Sequence, residues 1–174
     1  MTNAANEELS ARIRQALEAN PRAMTLMLAQ ELNVPEAQVV SALPGGQSAE
    51  LDCSRWEEII RTFESIGKLH VICSNGAVTL EAFGEFGNFS RTGPFFNVQT
   101  ASIDMHIRWQ KLGSVFAVEK PGHMDGVKTL SIQFFDKPGT SAFKVFFSFG
   151  GKPAAPEREE KFRQIIETFR KAKS

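Results

Sequence analysis

The chain has 174 residues, 20 Lys+Arg against 20 Asp+Glu, and a hydrophobic content of 42%, which suits one soluble globular domain with a sizeable core. A net charge of zero withholds the positive field that a nucleic-acid binder needs. No apolar run approaches the roughly 20 residues of a membrane-spanning helix, and the polar start from Met1 to Glu8 lacks the basic and apolar regions of a signal peptide.

The first third reads as helices. Leu9, Ile13 and Leu17 recur at helical spacing, and Pro21 ends that helix. Thr25 to Leu32 and Glu36 to Leu43 follow as two short helices, with Pro35 where a missing N–H costs little. Pro44-Gly45-Gly46 is a break. Ser54-Arg55-Trp56-Glu57 has the form of a capping box and opens a helix carrying Ile59, Ile60, Phe63 and Ile66.

At Gly67 the hydrophobic period changes from 3.6 to 2. Leu69–Ser74 and Ala77–Ala82 flank Asn75-Gly76, a type I′ hairpin signal. A Gly/Phe-rich loop spans 84–93. Strands are expected over Phe95–Gln99, Ile103–Lys111 and Ser114–Lys120, then a loop over Gly122–Val127. Thr129–Phe135 and Phe143–Phe149 form a second hairpin around Asp136-Lys137-Pro138-Gly139. A last helix carries Phe162, Ile165, Ile166 and Phe169. Helices, neighbouring strands and a closing helix make an α+β pattern with a multi-stranded antiparallel sheet. Nothing in it suggests a nucleotide-binding fold.

His106 is the leading candidate for chemistry. In Ile103-Asp104-Met105-His106-Ile107-Arg108-Trp109 the apolar side chains alternate with polar ones, so His106 shares a face with Asp104 and Arg108. That face suits a metal ligand or a general base oriented by its neighbours. It also describes the solvated side of an ordinary strand. Arg91 stands near Phe86, Phe89, Phe95 and Phe96, a composition that fits an apolar pocket with a guanidinium clamp for a carboxylate. Taken alone, it is an exposed loop arginine. His70 and His123 are the only other histidines. The first reads as structural or surface, the second as a loop side chain. The segment from Thr25 to Leu43 has a helix-turn-helix flavour, but its second helix carries no Lys or Arg, so packing against the sheet is its expected role. GxSxG, HExxH and clustered zinc spacings are absent, and a binding protein is favoured over a hydrolase. Cys53 and Cys73 form no CxxC, which fits a reduced, cytoplasmic setting while leaving a disulfide open. The chain has 15 Phe and no Tyr, so tyrosinate is unavailable as a ligand.

Several blocks carry a family resemblance. They include Val39-Val40-Ser41-Ala42-Leu43-Pro44, Phe95-Phe96-Asn97-Val98, Met105-His106-Ile107 and Phe116-Ala117-Val118-Glu119-Lys120-Pro121. The run from Gly122-His123-Met124-Asp125 through Ile132-Gln133-Phe134-Phe135-Asp136 to Phe143-Lys144-Val145-Phe146-Phe147 is the most telling. In their order and spacing the chain resembles the bacterial haem-utilisation carriers of the HutX/ChuX (also HuvX) type.

That resemblance implies a single haem-carrier domain over 1–174, with a helical part over 6–66, a sheet over 67–150 and a closing helix over 156–172. It implies a cytoplasmic carrier of non-covalent haem b, not an enzyme. The carrier would dimerise with itself, imitating double-length two-repeat relatives, and pass haem to a haem-degrading or storage protein. It places the iron ligand on His106 and a propionate on Arg91, with Arg108, Phe95 and Phe96 around the ligand and Asp104 or Arg108 tuning the imidazole. Some members carry a second haem histidine where this chain has Ser74, and others a Tyr that it lacks. The sixth ligand is therefore open between water, His70 and none. The alternatives are a haem-degrading enzyme, or an interaction or regulatory module that kept the fold without haem.

Overall fold

The computed structural model describes residues 3–123, 126–148 and 151–172, with side chains from residue 7 onward. Its elements are α1 (Asn3–Ala19), α2 (Thr25–Leu32), α3 (Glu36–Ser41), β1 (Ser48–Leu51), α4 (Trp56–Thr62), β2 (Leu69–Ser74), β3 (Thr79–Gly84), β4 (Ser90–Thr92), β5 (Phe95–Gln99), β6 (Asp104–Ile107), β7 (Leu112–Pro121), β8 (Lys128–Asp136), β9 (Ser141–Phe146) and α5 (Pro156–Phe169). The fold is α+β. Six antiparallel strands form one sheet in the order β1-β7-β8-β9-β2-β3, and β4-β5-β6 form a smaller one.

The large sheet divides the apolar residues into two cores, because side chains alternate faces along a strand. Its inner face presents Leu69, Val71, Leu130, Ile132, Phe134, Val145 and Val115. These pack with Ile59, Ile60 and Phe63 of the α4 segment, with Phe162, Ile165 and Phe169 of α5, and with Phe96, Val98 and Ile107 of the small sheet. Phe63 is an aromatic hub, edge-on to Phe86, Phe134 and Phe147. The outer face presents Phe116, Val118 and Phe135 to Leu17, Leu28, Val39 and Val40 of α1–α3. In α3, Val39 and Val40 are fully buried, so the second helix of the helix-turn-helix-like segment packs on the sheet.

Several boundaries differ from the sequence reading. β1 lies inside the stretch read as helical. It is four residues long and too short to show a period, and it exists by pairing with β7. Ser54 and Glu57 form no capping box. Asp52 accepts hydrogen bonds from the Ser54 N–H and hydroxyl instead, which frees Glu57 for other partners. The first hairpin has a four-residue loop, 75–78, rather than a two-residue type I′ turn. Asn75 has no positive φ, and its side-chain oxygen accepts from the Ala77 and Val78 N–H groups. The strand expected over 103–111 ends at Ile107, and Trp109–Lys111 is a 3₁₀ turn. The loop expected over 84–93 contributes β4, and α3 stops at Ser41, short of Leu43. Met124, Asp125 and Phe149 lie outside the described residues. Cys53 and Cys73 are free thiols. Among the described residues no helix is long and apolar enough to cross a membrane.

An ion-pair network ties α5 to the sheet. Glu119 meets Arg163 at 2.6 Å and Lys128 at 3.1 Å, and Glu159 meets both cations. The Arg163 hydrogen bond holds the Glu119 carboxyl below its ordinary value, with Lys128 assisting against burial. A depressed carboxylate stabilises the fold above its unfolded value near 4.5. That contribution is lost as pH falls through the lower native value. Arg163→Met should therefore cost about 0.5–1 kcal/mol at neutral pH, with the difference from wild type shrinking in acid, as chemical denaturation across pH will measure. Phe134, fully buried between both layers of the inner core, gives a larger effect. Phe134→Ala should lower unfolding stability by about 3–5 kcal/mol in a urea titration.

Candidate functional site

The three helices are too small to cover the outer face of the large sheet. α1–α3 shelter the β7–β8 side, and beyond them the face opens into a cleft of about 770 Å³. Its floor comes from alternate residues of β2, β9 and β8. These are His70, Ile72 and Ser74, then Lys144 and Phe146, then Ser131 and Gln133. Met24, Thr25, Leu26 and Glu36 form the helical wall, and Lys120, Pro121, His123 and Val127 form the rim near the β7–β8 turn. Such a volume and mix of apolar and polar groups fit an organic ligand.

One wall is fixed by a buried charge cluster. Glu36, 3% exposed, accepts from Thr25 Oγ1 and from Lys144 Nζ, both at 2.5 Å. This cluster joins α2, α3 and β9. Burial, followed by the nearby Lys144 ammonium, pushes the Lys120 amine down. His70 stands at the other side. Its Nε2 lies 2.7 Å from Glu81 Oε2, and its ring stacks on Phe83 at 4.3 Å with Phe146 at 5.7 Å.

His106 occupies a different surface. The alternation read from the sequence holds: Ile103 and Ile107 are buried, and Asp104, His106 and Arg108 are exposed. His106 pairs across the strands with Asn97, which pairs with Ser90. Its Nδ1 lies 2.7 Å from Asn97 Oδ1, and its Nε2 lies 3.5 Å from Asp104. The amide oxygen only accepts, so Nδ1 donates and Nε2 keeps the lone pair in the neutral ring. Asn97 is 4% exposed and its Nδ2 donates to Ser90. It orients His106 from the neighbouring strand, a residue not foreseen beside Asp104 and Arg108, while Asp104 stays within 3.5 Å of Nε2. The polar residue of the Phe95-Phe96-Asn97-Val98 strand was the available signal. The Arg108 side chain makes no hydrogen bond or ion pair among the described residues, and its carbonyl accepts from the Lys111 N–H.

The other candidates do not converge on His106. Phe95 shares its face, with ring centroids 6.2 Å apart. Phe96 is fully buried and Phe86 nearly so, so these rings are core, not pocket wall. Arg91 pairs in register with Phe96 and so belongs to the opposite face of the small sheet. Its guanidinium is an ion-pair partner of Glu57 and lies 5.5 Å and 5.8 Å from the rings of Trp109 and Trp56. Burial alone would raise the Glu57 carboxyl. The hydrogen bonds from Arg91 and Arg61 outweigh it and hold Glu57 below its ordinary value. His106 does not line the cleft. The core containing Phe96, Ile107, Phe134 and Val145 lies between the two.

An α+β domain with a ligand-sized cleft and two oriented imidazoles has the form of a small-molecule binding protein. The chain belongs to the haem-utilisation ChuX/HutX family, whose pattern matches residues 49–165. It is 25% identical over 162 residues to the intracellular heme transport protein HutX of Vibrio cholerae, covering 91% of this chain and 83% of that one. That relative is named for heme transport and not for an enzyme activity. The fold is that of the heme-binding protein ChuX, with a TM-score of 0.77, 22% identity, and coverage of 90% and 97% of the two chains. It is also that of the heme-degrading enzyme ChuS of Escherichia coli O157:H7, with a TM-score of 0.78 and 22% identity. There the match covers 97% of this chain and 48% of ChuS, so the chain spans about half that enzyme's length.

The Glu36–Lys144 pair makes a direct prediction. Lys144→Met leaves a buried carboxylate without its cation and should cost about 3–5 kcal/mol. Adding Glu36→Gln should return most of it, as paired thermal melts will measure.

Proposed function

We propose that this protein binds haem b non-covalently and carries it inside the cell to a haem-degrading or storage partner. The observation that carries the reading is the cleft, because its contents match the ligand's chemistry. Ile72, Phe146, Leu26 and Val127 offer apolar surface to a flat macrocycle, while Lys120 and Lys152 offer cations to its carboxylates. Among the described residues no group of three metal-ligating side chains exists. A porphyrin supplies four nitrogens itself, so one or two protein ligands suffice.

His106 enters this reading as an iron ligand from a second copy of the chain. It is exposed, its tautomer is set by Asn97, and its Nε2 points away from that bond. Within one chain the core separates it from the cleft, so only a dimer brings it to the same haem. The β3 edge of the large sheet and the loop before it support self-association, with Val78 of the loop and Leu80 and Phe83 of β3 exposed by 67%, 62% and 53%. Arg91 meets a propionate only by leaving Glu57, and Phe95 and Arg108 lie beside His106 to contact the ligand's rim.

Titrating the purified protein with ferric hemin and following the Soret band tests the proposal. Saturation near one haem per chain is expected, with a sedimentation coefficient of a dimer and a spectrum altered in His106→Ala. A linear, unsaturable titration would sink the carrier reading. An unchanged spectrum in His106→Ala would remove that histidine from the iron.

A further inference from the structure

We infer that His70 is an iron ligand contributed by the cleft's own chain, with Glu81 as its positioning residue. The inference rests on the haem reading above and adds the group that holds the metal from within the cleft.

On β2 the residues His70, Ile72 and Ser74 share one face, and that face is the cleft floor. Glu81 is opposite Ile72 on β3, diagonal to His70, and so within side-chain reach of it. The observed contact is 2.7 Å from Glu81 Oε2 to Nε2. A carboxylate only accepts, so Nε2 carries the proton and Nδ1 keeps the lone pair. No hydrogen bond occupies Nδ1 among the described residues. An imidazole with one nitrogen donating to a carboxylate and the other free is the arrangement that metal-bound histidines adopt.

Packing adds a second argument. Phe83 stacks on the ring at an interplanar angle of 12°, and Phe146 is tilted against it. The side chain is only 13% exposed, yet it lines the cleft. The ring is therefore packed against aromatic neighbours while the residue still lines the cleft, and a nitrogen ligates through the ring edge. A purely solvated histidine needs neither clamp. Glu81, 50% exposed, can reorient without unpacking the core. His123, the cleft's other imidazole, is an exposed residue of the 121–127 turn with no comparable clamp among the described residues.

Resonance Raman and Soret spectra of the hemin-loaded protein test this. With His106 from the second copy, the wild-type ferric complex should be six-coordinate and low-spin. His106→Ala should become five-coordinate and keep an iron–imidazole stretch in the ferrous state. Adding His70→Gln should abolish that band and raise the hemin Kd roughly tenfold or more. In the His106→Ala background, Glu81→Gln should keep the stoichiometry and lower the stretching frequency, because the carboxylate no longer strengthens the imidazole donor. That shift decides the matter if His70→Gln fails to fold in a thermal melt. A His70→Gln spectrum identical to wild type, or no iron–imidazole band in His106→Ala, overturns the assignment while leaving the carrier reading intact. Wild-type protein that takes up no hemin overturns both.

Discussion

The outer face of the six-stranded sheet is larger than three short helices can cover. The inner face has no such shortage, since α4, α5 and the small sheet close it completely. On the outer face, α1–α3 spend their apolar side chains on Phe116, Val118 and Phe135. Strands β9, β2 and β3 are left with a mixed surface of His70, Ile72, Lys144 and Phe146. A sheet face half covered by helices is a cleft by construction. The Thr25–Glu36–Lys144 cluster then fixes how far the helices stand from the uncovered strands. Fold and binding surface therefore have one origin, in the mismatch between sheet area and helical cover.

Both histidines of interest owe their readiness to a neighbour on an adjacent strand. Asn97 accepts a hydrogen bond from Nδ1 of His106, and Glu81 accepts one from Nε2 of His70. The tautomers are opposite, the environments differ, and the logic is shared: a strand register places an acceptor within reach of one ring nitrogen. An amide is a weaker acceptor than a carboxylate, so the His70 imidazole is the stronger electron donor. A carrier must also let its ligand go. In the proposed haem complex, one ligand would be a clamped histidine in the cleft and the other an exposed one from a second copy, so that separation of the copies would remove one ligand while the other stayed.

Membership of the haem-utilisation family and a fold shared with both a heme-binding protein and a heme-degrading enzyme put one scaffold under two activities. Function on such a scaffold lies in the site. Here the site offers imidazoles, lysines and apolar surface. The arginine that resembles a propionate clamp is held against Glu57, Trp56 and Trp109. Its availability depends on what competes for Glu57, which Arg61 also binds.

The sequence by itself determined the α+β class, the period change at Gly67, the two hairpins and the outward direction of His106. All of these are local, set by side-chain periodicity and turn residues over a few positions. It did not determine β1, whose four residues become a strand only through β7, nor the start of α4, which has no side-chain cap because Asp52 binds Ser54 and caps the 3₁₀ turn Cys53–Arg55 ahead of it. Asn97, Glu81 and the cleft were also decided by tertiary structure. Asn97 orients His106 from nine positions away, and Glu81 reaches His70 from eleven. Register across strands sets such pairings, and no run of residues along one strand encodes it. Arg91 and Phe96 are adjacent to the right residues in sequence and on the wrong face in space, because a strand reverses its side chains at every step.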